Sequence, residues 1–296
     1  MAETLTKKVY AKINLGLDIT GKRADGYHEL RSVMQTVDLW DELTLTKTDA
    51  PGISLKTNLS WLPTDGRNLM VRAAEEIFAA YHLPGGLSME LEKHIPVGGG
   101  MAGGSTDAAG VINAMDALYG LKLSAEEKET IALKLGADVT FCLYGGTMLC
   151  EGIGEKLTKL PDCPPFYAIL VKPPFSVSTK DVYAKYDTMT EKGDAPVHPD
   201  TDAQCAALQR SDTEAVMALS GNVLEPVTFS DHPTLPEIAR YLLEKGAFRA
   251  LMSGSGPTML GFYLDREKAL SALSAVRRKY RSSMVKLVSP VNDISE

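Results

Sequence analysis

A glycine-rich segment constrains the fold of this chain more than any other feature of its sequence. Residues 98–104 contain five glycines in seven positions, and an apolar stretch with helical spacing follows them. Glycine has no Cβ, so peptide N–H groups here can approach an anion closely, and the N-terminus of the next helix adds unpaired amides and its dipole. Ser105 and Thr106 can donate hydroxyl groups or cap that helix. The segment predicts a phosphate-binding loop.

Other interpretations of the glycines are weaker. A mobile loop ended by an ordinary Ser or Thr N-cap is disfavoured because ordering so many glycines costs folding entropy. The pattern Gly98-x-Gly100-x-x-Gly103 matches the dinucleotide fingerprint, but that motif needs a strand directly before it and an acidic residue about twenty positions later. Residues 93–96 separate strand from loop here, and a helix is predicted at the later position. A P-loop would need a lysine after the glycines. A phosphate loop of another kind remains, and it needs a cation from elsewhere.

Charge and composition exclude several classes of function. The 31 Lys and Arg residues against 38 Asp and Glu residues give a net charge of −7, so no overall positive field attracts nucleic acid or an anionic membrane. The sequence contains no stretch typical of a signal peptide and no apolar run of membrane-spanning length. We therefore expect a cytoplasmic protein without nucleic-acid or membrane partners, and its oligomeric state is left open.

The four cysteines predict buried structural thiols. No Cys-x-x-Cys pair occurs among Cys142, Cys150, Cys163 and Cys205, and their neighbours are mostly apolar. A disulfide framework or a zinc site is therefore disfavoured.

Hydrophobic periodicity indicates a mixed α+β chain of 296 residues, long enough for roughly two domains. Alternation over 5–20 predicts a half-buried strand with Lys12 and Asn14 on one face. In the first half we further expect a strand at 32–48 broken by Asp38 and Asp41, helices at 68–82, 105–119 and 125–135, and a strand at 87–92.

The second half is predicted to be a compact α+β unit. A short strand at 166–171 ends at Pro173 and Pro174, which mark a candidate boundary region because proline lacks a ladder donor. We then expect an exposed loop at 191–202, helices at 213–219, 235–245 and 268–280, and strands at 249–252, 258–263 and near 285.

Phosphoryl transfer on such a loop would need a positive charge and a group to take the proton of an acceptor hydroxyl. Lys12 can supply the charge and Asp138 the base. Each has a simpler interpretation, since a lysine on a strand face is usually solvated and an aspartate after Gly-Ala is usually a turn or N-cap residue. Only the fold can bring the two together.

Five motifs in order resemble those of the GHMP small-molecule kinases, and the likeness runs nearly end to end. They are Lys12-Ile-Asn14-Leu, Arg23-Ala-Asp-Gly-Tyr-His-Glu-Leu30, the glycine loop, Leu135-Gly-Ala-Asp-Val139 and Ser253-Gly-Ser-Gly-Pro-Thr258. The resemblance implies a two-domain α+β GHMP kinase fold, with domains at 1–165 and 166–296 and the active site in the cleft between them. It also implies that Lys12 and Asp138 are the catalytic pair, and that the second glycine turn packs against the loop.

The resemblance further implies the ligands. ATP with Mg²⁺ is expected, and the positions that match the ATP site are Asn68, Pro96, Val97, Gly98, Gly99, Gly100, Met101, Ala102, Gly103, Gly104, Ser105 and Thr106. Gly103 and Gly104 stand where relatives commonly have serines, one of which binds magnesium in some of them, so the metal ligands stay unassigned.

Within the family, the Gly-Tyr-His motif and the form of the loop resemble the branch that phosphorylates a cytidine diphosphate sugar alcohol. The matching substrate positions are Asn14, Tyr27, His28, Thr179 and Tyr183. The alternatives are a kinase of the homoserine or mevalonate type and a non-catalytic nucleotide-binding sensor on the same fold. Preference for an acceptor without cytidine would favour the homoserine or mevalonate type of kinase. Nucleotide binding without phosphotransfer would favour the sensor.

Overall fold

A computed structural model describes residues 3–194 and 196–294. The described strands are β1 (Thr4–Lys22), β2 (His28–Thr48), β3 (Gly52–Thr57), β4 (Gly86–Glu92), β5 (Thr147–Gly152), β6 (Lys156–Lys159), β7 (Tyr167–Lys172), β8 (Gly221–Asn222), β9 (Arg249–Met252), β10 (Met259–Tyr263) and β11 (Met284–Val288). The described helices are α1 (Leu69–Tyr81), α2 (Gly103–Tyr119), α3 (Ala125–Leu135), α4 (Ala137–Tyr144), α5 (Thr179–Glu191), α6 (Thr201–Gln209), α7 (Thr213–Ala218), α8 (Glu225–Asp231), α9 (Thr234–Glu244) and α10 (Arg266–Lys279).

The first sheet is built on the long antiparallel pair β1 and β2. The order β3-β4-β2-β1-β8 is extended by β5, which also pairs with β2, and by β6, which pairs with β5. Helices α1 to α4 pack against this sheet over an apolar core. The predicted strands at 5–20, 32–48 and 87–92 are confirmed, as are the helices at 68–82, 105–119 and 125–135. Gly120 ends α2 in the left-handed conformation, as expected.

Strand β1 is buried on both faces, so the prediction of a half-buried strand is wrong for its centre. Every residue from 11 to 19 is buried. Apolar residues such as Ile13 pack with helices α6 and α7 and with the second sheet. On the polar side the glycine loop lies against the strand, where the Lys12 amide donates to Met101 O at 3.3 Å. A polar position in an alternating strand can therefore be buried by a later part of the chain.

Strand β2 continues through Asp38 and Asp41, so the predicted break there is wrong. Both carboxylates have partners that compensate their burial. Asp38 accepts hydrogen bonds from the amide of Ser289 at 2.6 Å and from its hydroxyl at 2.7 Å. Asp41 is fully buried and is paired with Lys93. Paired charges are tolerated inside a strand because their desolvation is offset by the partner and its hydrogen bonds.

The second sheet has the antiparallel order β11-β7-β10-β9. It packs with α5, α8, α9 and α10 over a further apolar core. The strands predicted at 166–171, 249–252, 258–263 and near 285 and the helices predicted at 213–219, 235–245 and 268–280 are confirmed to within about two residues. The irregular segment between α5 and α6 is shorter than the loop predicted at 191–202, and Ala195 within it lies outside the described residues.

The two halves of the chain are interleaved at one point. Strand β8 comes from the second half but pairs in parallel with β1, through Gly16 to Gly221 and Leu17 to Asn222. The boundary between 165 and 166 falls between β6 and β7 and stays a prediction. In the part of the chain that the structure describes, no helix has the length and hydropathy needed to cross a membrane.

Candidate active site

Residues of both halves of the chain line one large cavity. Its volume is about 890 Å³, at the upper end of the range for small-molecule sites. The predicted site residues that line it are Lys12, Asn14, Tyr27, His28, Gly98, Gly99, Gly100, Ala102, Gly103, Gly104, Ser105, Asp138, Thr179 and Tyr183. The structure thus brings together residues that are up to 171 positions apart in the sequence.

Lys12 and Asp138 meet at the wall of this cavity. Lys12 Nζ lies 3.6 Å from Asp138 Oδ2 and donates to Asn14 Oδ1 at 2.9 Å. The lysine side chain is only 5% exposed, whereas the aspartate side chain is 38% exposed and stands in the first turn of α4. Asn14 is held in turn by Ser32 Oγ, which accepts from its Nδ2 at 2.8 Å. The arrangement fixes an ammonium beside a carboxylate that a ligand can reach.

The glycine loop leads directly into α2, two residues earlier than the sequence predicts. The helix begins at Gly103, and Ala102 is its N-cap with a φ of 55° and no side-chain cap. The prediction that Ser105 or Thr106 caps the helix is therefore wrong. Thr106 is buried and its Oγ1 donates to Tyr10 O at 2.6 Å, so this hydroxyl joins helix to sheet. The first amides of α2 stay without side-chain partners at the cavity wall, as an anion site requires.

The second glycine turn packs against the glycine loop, as expected. Ser253 Oγ donates to Gly100 O at 3.0 Å. Gly100 has a φ of 76°, and a Cβ there would lie 2.3 Å from Ser253 O. The close approach of two backbones explains why this position is glycine.

We expect Gly100→Ala to lower the free energy of unfolding by roughly 2–4 kcal/mol. The new Cβ would overlap the Ser253 carbonyl oxygen, and alanine disfavours the left-handed conformation of this residue. Urea unfolding without nucleotide measures the effect. The matched control is Gly104→Ala in the first turn of α2, where the nearest atom to a new Cβ is Leu69 Cδ1 at 3.8 Å. Equal stability of the two variants would contradict the packing described for Gly100.

A buried ionic cluster holds both ends of the loop. Lys93 Nζ pairs with Asp41 and lies 2.8 Å from Asp107 Oδ2, and the three side chains are at most 4% exposed. Asp41 Oδ1 also accepts from the amides of His94 and Ile95, the latter at 2.7 Å. Burial raises the pKa of Asp107 well above its usual range, with the charge of Asp41 adding to the effect and that of Lys93 opposing it. A single ammonium thus stands between two buried carboxyl groups, and burial favours the protonated form of Asp107.

The Glu225 side chain lies beside the second glycine turn and makes the stability of the fold depend on pH. It begins α8 and accepts from the Met252 amide at 2.7 Å. Burial raises its pKa from the usual 4.5 to about 7, against the opposing effects of that hydrogen bond and of Arg249. The folded state therefore holds this proton more tightly than the unfolded chain does. The contribution of this bound proton to the free energy of unfolding is fully present below pH 4.5 and is lost as the pH rises through about 7.

We expect Glu225→Gln to remove this pH dependence, which amounts to about 3 kcal/mol of unfolding free energy. Glutamine can still accept from the Met252 amide but carries no charge. Chemical unfolding of both proteins at about pH 5 and about pH 8 measures the difference. The wild type should lose more stability than the variant between the two conditions. The same loss in both would show that Glu225 does not titrate in this range.

Five predicted ATP-site residues lie outside the cavity lining: Asn68, Pro96, Val97, Met101 and Thr106. Asn68 caps α1, accepting from the Met70 amide at 3.0 Å and donating to Pro63 O at 2.8 Å. Met101 is buried in the apolar core. Their roles toward ATP stay predictions.

Aromatic side chains also line the cavity. The ring centroids of His28 and Tyr183 are 4.9 Å apart, and Tyr27, the neighbour of His28 in the sequence, is 61% exposed. Asp187 also lines the cavity and accepts from Lys22 Nζ at 2.8 Å. No sequence motif marks Asp187, although its position four residues after Tyr183 on α5 could have placed both on one helix face.

All four cysteines are free thiols. Cys142, Cys150 and Cys163 are buried, as predicted, whereas Cys205 is only partly buried. Burial raises the pKa of Cys142 and Cys163 to about 12, which keeps them as unreactive thiols. Among the described residues, no group of three or more His, Cys, Asp or Glu side chains could hold a metal ion.

Comparison with known proteins identifies the family. The model of the GHMP kinases N-terminal domain matches residues 68–146, and that of the GHMP kinases C-terminal domain matches residues 206–282. A 4-diphosphocytidyl-2-C-methyl-D-erythritol kinase from Lachnospira eligens is 42% identical over 283 residues, covering 96% of this chain and 97% of the relative. The chain belongs to the GHMP kinase family.

Solved structures agree with this assignment. A crystal structure of 4-(cytidine 5'-diphospho)-2C-methyl-D-erythritol kinase matches this GHMP kinase with a TM-score of 0.79 and 32% identity, over 96% of this chain and 99% of that one. Homoserine kinase from Cytophaga hutchinsonii matches with a TM-score of 0.76 but only 19% identity, over 99% of this chain and 96% of that one. The second likeness shows the fold alone. The expected α+β GHMP kinase fold is confirmed.

Proposed function

We infer that this GHMP kinase transfers the γ-phosphoryl group of ATP to the 2-hydroxyl of 4-diphosphocytidyl-2-C-methyl-D-erythritol, a step of the non-mevalonate route to isoprenoid precursors. The Lys12–Asp138 pair carries the inference, because it stands in one cavity with the glycine loop and the aromatic residues. The two relatives reported above with more than 30% identity bear the name of this kinase.

In the proposed mechanism the acceptor oxygen attacks the γ-phosphorus of ATP and the bond to the β-phosphate oxygen breaks, releasing ADP. Asp138 takes the hydroxyl proton, and the Lys12 ammonium, 3.6 Å from that carboxylate, offsets negative charge on the transferring group. Asn14 holds the ammonium in place through its 2.9 Å hydrogen bond. Positioning and charge neutralisation are most of what this reaction requires of a protein.

ATP is the donor, and we propose that it binds as its Mg²⁺ complex. The site fits such a complex because the Ser105 hydroxyl lines the cavity together with the glycines of the loop. A hydroxyl is a hard oxygen ligand of the kind that Mg²⁺ takes alongside nucleotide phosphates. When bound, the ion would neutralise phosphate charge.

The aromatic residues of the cavity form the proposed site of the cytosine base. Tyr27 and Tyr183 offer rings on which a pyrimidine can stack, and His28 offers a polar edge. Thr179 stands at the start of α5, where its Oγ1 lies 2.9 Å from Ser255 Oγ.

Phosphotransfer assays with purified protein test the function. The protein is offered ATP with 4-diphosphocytidyl-2-C-methyl-D-erythritol, homoserine or mevalonate, and ADP and the phosphorylated product are measured. We expect turnover with the cytidine substrate alone. Turnover with either other acceptor would assign a sister activity. Nucleotide binding without turnover of any acceptor would indicate a sensor.

A further inference from the structure

The Lys12 ammonium begins a series of three hydrogen bonds that ends in the backbone of its own strand. Lys12 Nζ donates to Asn14 Oδ1 at 2.9 Å, and Asn14 Nδ2 donates to Ser32 Oγ at 2.8 Å. Ser32 Oγ donates in turn to Gly16 O at 2.6 Å. The register of β1 against β2 shifts between Asn14 and Gly16. A bulge of this kind commonly redirects a side chain beside an active site.

Every hydrogen bond of this series has a fixed direction. The ammonium can only donate, so the oxygen of the Asn14 amide must face Lys12. The Ser32 hydroxyl has one hydrogen and gives it to Gly16 O, so its oxygen is left to accept from the amide nitrogen of Asn14. The orientation that Lys12 requires of Asn14 is therefore also the one that Ser32 requires.

Asn14, rather than Asp138, determines where the ammonium lies. Lys12 Nζ and Asp138 Oδ2 are 3.6 Å apart, which is too long for a hydrogen bond. Asn14 is only 1% exposed, and Ser32 Oγ is the acceptor for its Nδ2 within residues 3–194 and 196–294. Without that hydroxyl, Nδ2 would be a buried donor lacking an acceptor. The side chain would then turn toward another acceptor and carry Oδ1 away from Lys12.

We propose that Ser32 is a positioning residue for phosphoryl transfer, which holds the Asn14 amide and through it the Lys12 ammonium. Ser32 is fully buried and is not among the described residues that line the cavity, so it acts without touching a ligand. The proposal rests on the proposed function, in which Lys12 offsets charge on the transferring group. Displacing a catalytic group by about 1 Å can lower the rate by on the order of a hundredfold.

Ser32→Ala tests this role by removing the hydroxyl alone. We expect kcat to fall by about tenfold to a hundredfold and the KM for ATP to stay within about twofold, because the ammonium is displaced while the glycine loop is intact. Ser32→Thr keeps a hydroxyl and should stay within about threefold of the wild-type kcat. A wild-type kcat in Ser32→Ala would overturn the proposal, and so would an equal loss in Ser32→Thr.

The matched control is Ser220→Ala. Ser220 is also buried, donates to Val216 O at 2.9 Å and accepts from the side-chain amide of Gln204 at 3.2 Å, but it is not among the described residues of the cavity lining. Gln204 Nε2 keeps its hydrogen bonds to Val216 O and Leu15 O in this variant. Its kcat should stay within about twofold of wild type. An equal fall of kcat in Ser220→Ala and Ser32→Ala would assign Ser32 a merely structural role and overturn the proposal.

A double-mutant cycle shows whether Ser32 acts through Asn14. In an Asn14→Ala background, Ser32→Ala should lower kcat by less than about twofold further, because the amide that Ser32 holds is already absent. The full loss of the single variant in that background would overturn the proposal.

Nitrogen-15 NMR of the wild-type protein tests the geometry without catalysis. Failure of the proposed kinase activity therefore stays distinguishable, and the measurement also serves if Ser32→Ala does not fold. We expect the Asn14 Nδ2 hydrogens to exchange with water at least about tenfold more slowly than in the unfolded protein. Exchange at the rate of the unfolded protein would overturn the proposal.

Discussion

Asp138→Asn is expected to lower kcat by a factor of about a hundred or more and to leave the KM for ATP within about twofold of wild type. Asparagine keeps the size of the side chain, but it cannot take the proton of the acceptor hydroxyl. The lost interaction is made in the transition state, so turnover falls while nucleotide binding by the glycine loop persists. Steady-state kinetics with ATP and the cytidine substrate measure both constants.

The control for this variant is Asp162→Asn, an exposed aspartate outside the cavity. Its kinetic constants should match those of wild type. Turnover of Asp138→Asn equal to that of wild type would remove Asp138 from the chemistry. A large rise in the KM for ATP with unchanged kcat would make it a nucleotide-binding residue.

Lys93→Met is expected to lower the free energy of unfolding by about 3–5 kcal/mol. The methionine side chain has a similar length but leaves the fully buried Asp41 carboxylate without its cation. An uncompensated buried charge is much more costly than the loss of an exposed ion pair. Urea unfolding followed by circular dichroism measures the difference.

Two variants define the origin of that loss. Lys134→Met removes a lysine that pairs with Glu76 at 2.7 Å on the surface, and it should cost less than about 1 kcal/mol. Asp107→Asn keeps the shape of the side chain and leaves the Lys93–Asp41 pair intact, so it should cost much less than Lys93→Met. Similar losses for Lys93→Met and Lys134→Met would contradict the described role of the buried cluster.

Much of the fold follows from local patterns. The alternation along β1 and the helical spacing in α1 to α3 are strong sequence signals, because each of these elements buries a continuous apolar face. The short strands β3, β5, β6 and β8 and the helices α4, α6 and α8 were not predicted. Their residues are too few or too uniformly buried to show a period, and contacts with distant parts of the chain decide their conformation.

The buried charges show why some local predictions fail. Asp41 interrupts the apolar alternation of β2, and by itself it indicates the end of a strand. The structure instead pairs it with Lys93, 52 positions later, and with amides at the start of the glycine loop. A charge inside an otherwise regular strand is thus a signal for a buried partner, which the sequence does not name.

The active site depends on the same long-range contacts. The chemistry of the glycine loop follows from glycine itself, whereas the meeting of Lys12 and Asp138 follows only from the fold. The resemblance to GHMP kinases predicts it, and the 3.6 Å contact agrees. Asp187 is not predictable from a motif, because none marks it and its partner His28 is 159 positions away.

A crystal structure of the protein with a non-hydrolysable ATP analogue and 4-diphosphocytidyl-2-C-methyl-D-erythritol tests the proposed mechanism most directly. We expect the triphosphate on the glycine loop and the acceptor 2-hydroxyl within hydrogen-bond distance of the Asp138 carboxylate, with the Lys12 ammonium beside the γ-phosphate. An acceptor whose 2-hydroxyl points away from Asp138, or a triphosphate bound away from the glycine loop, would contradict it.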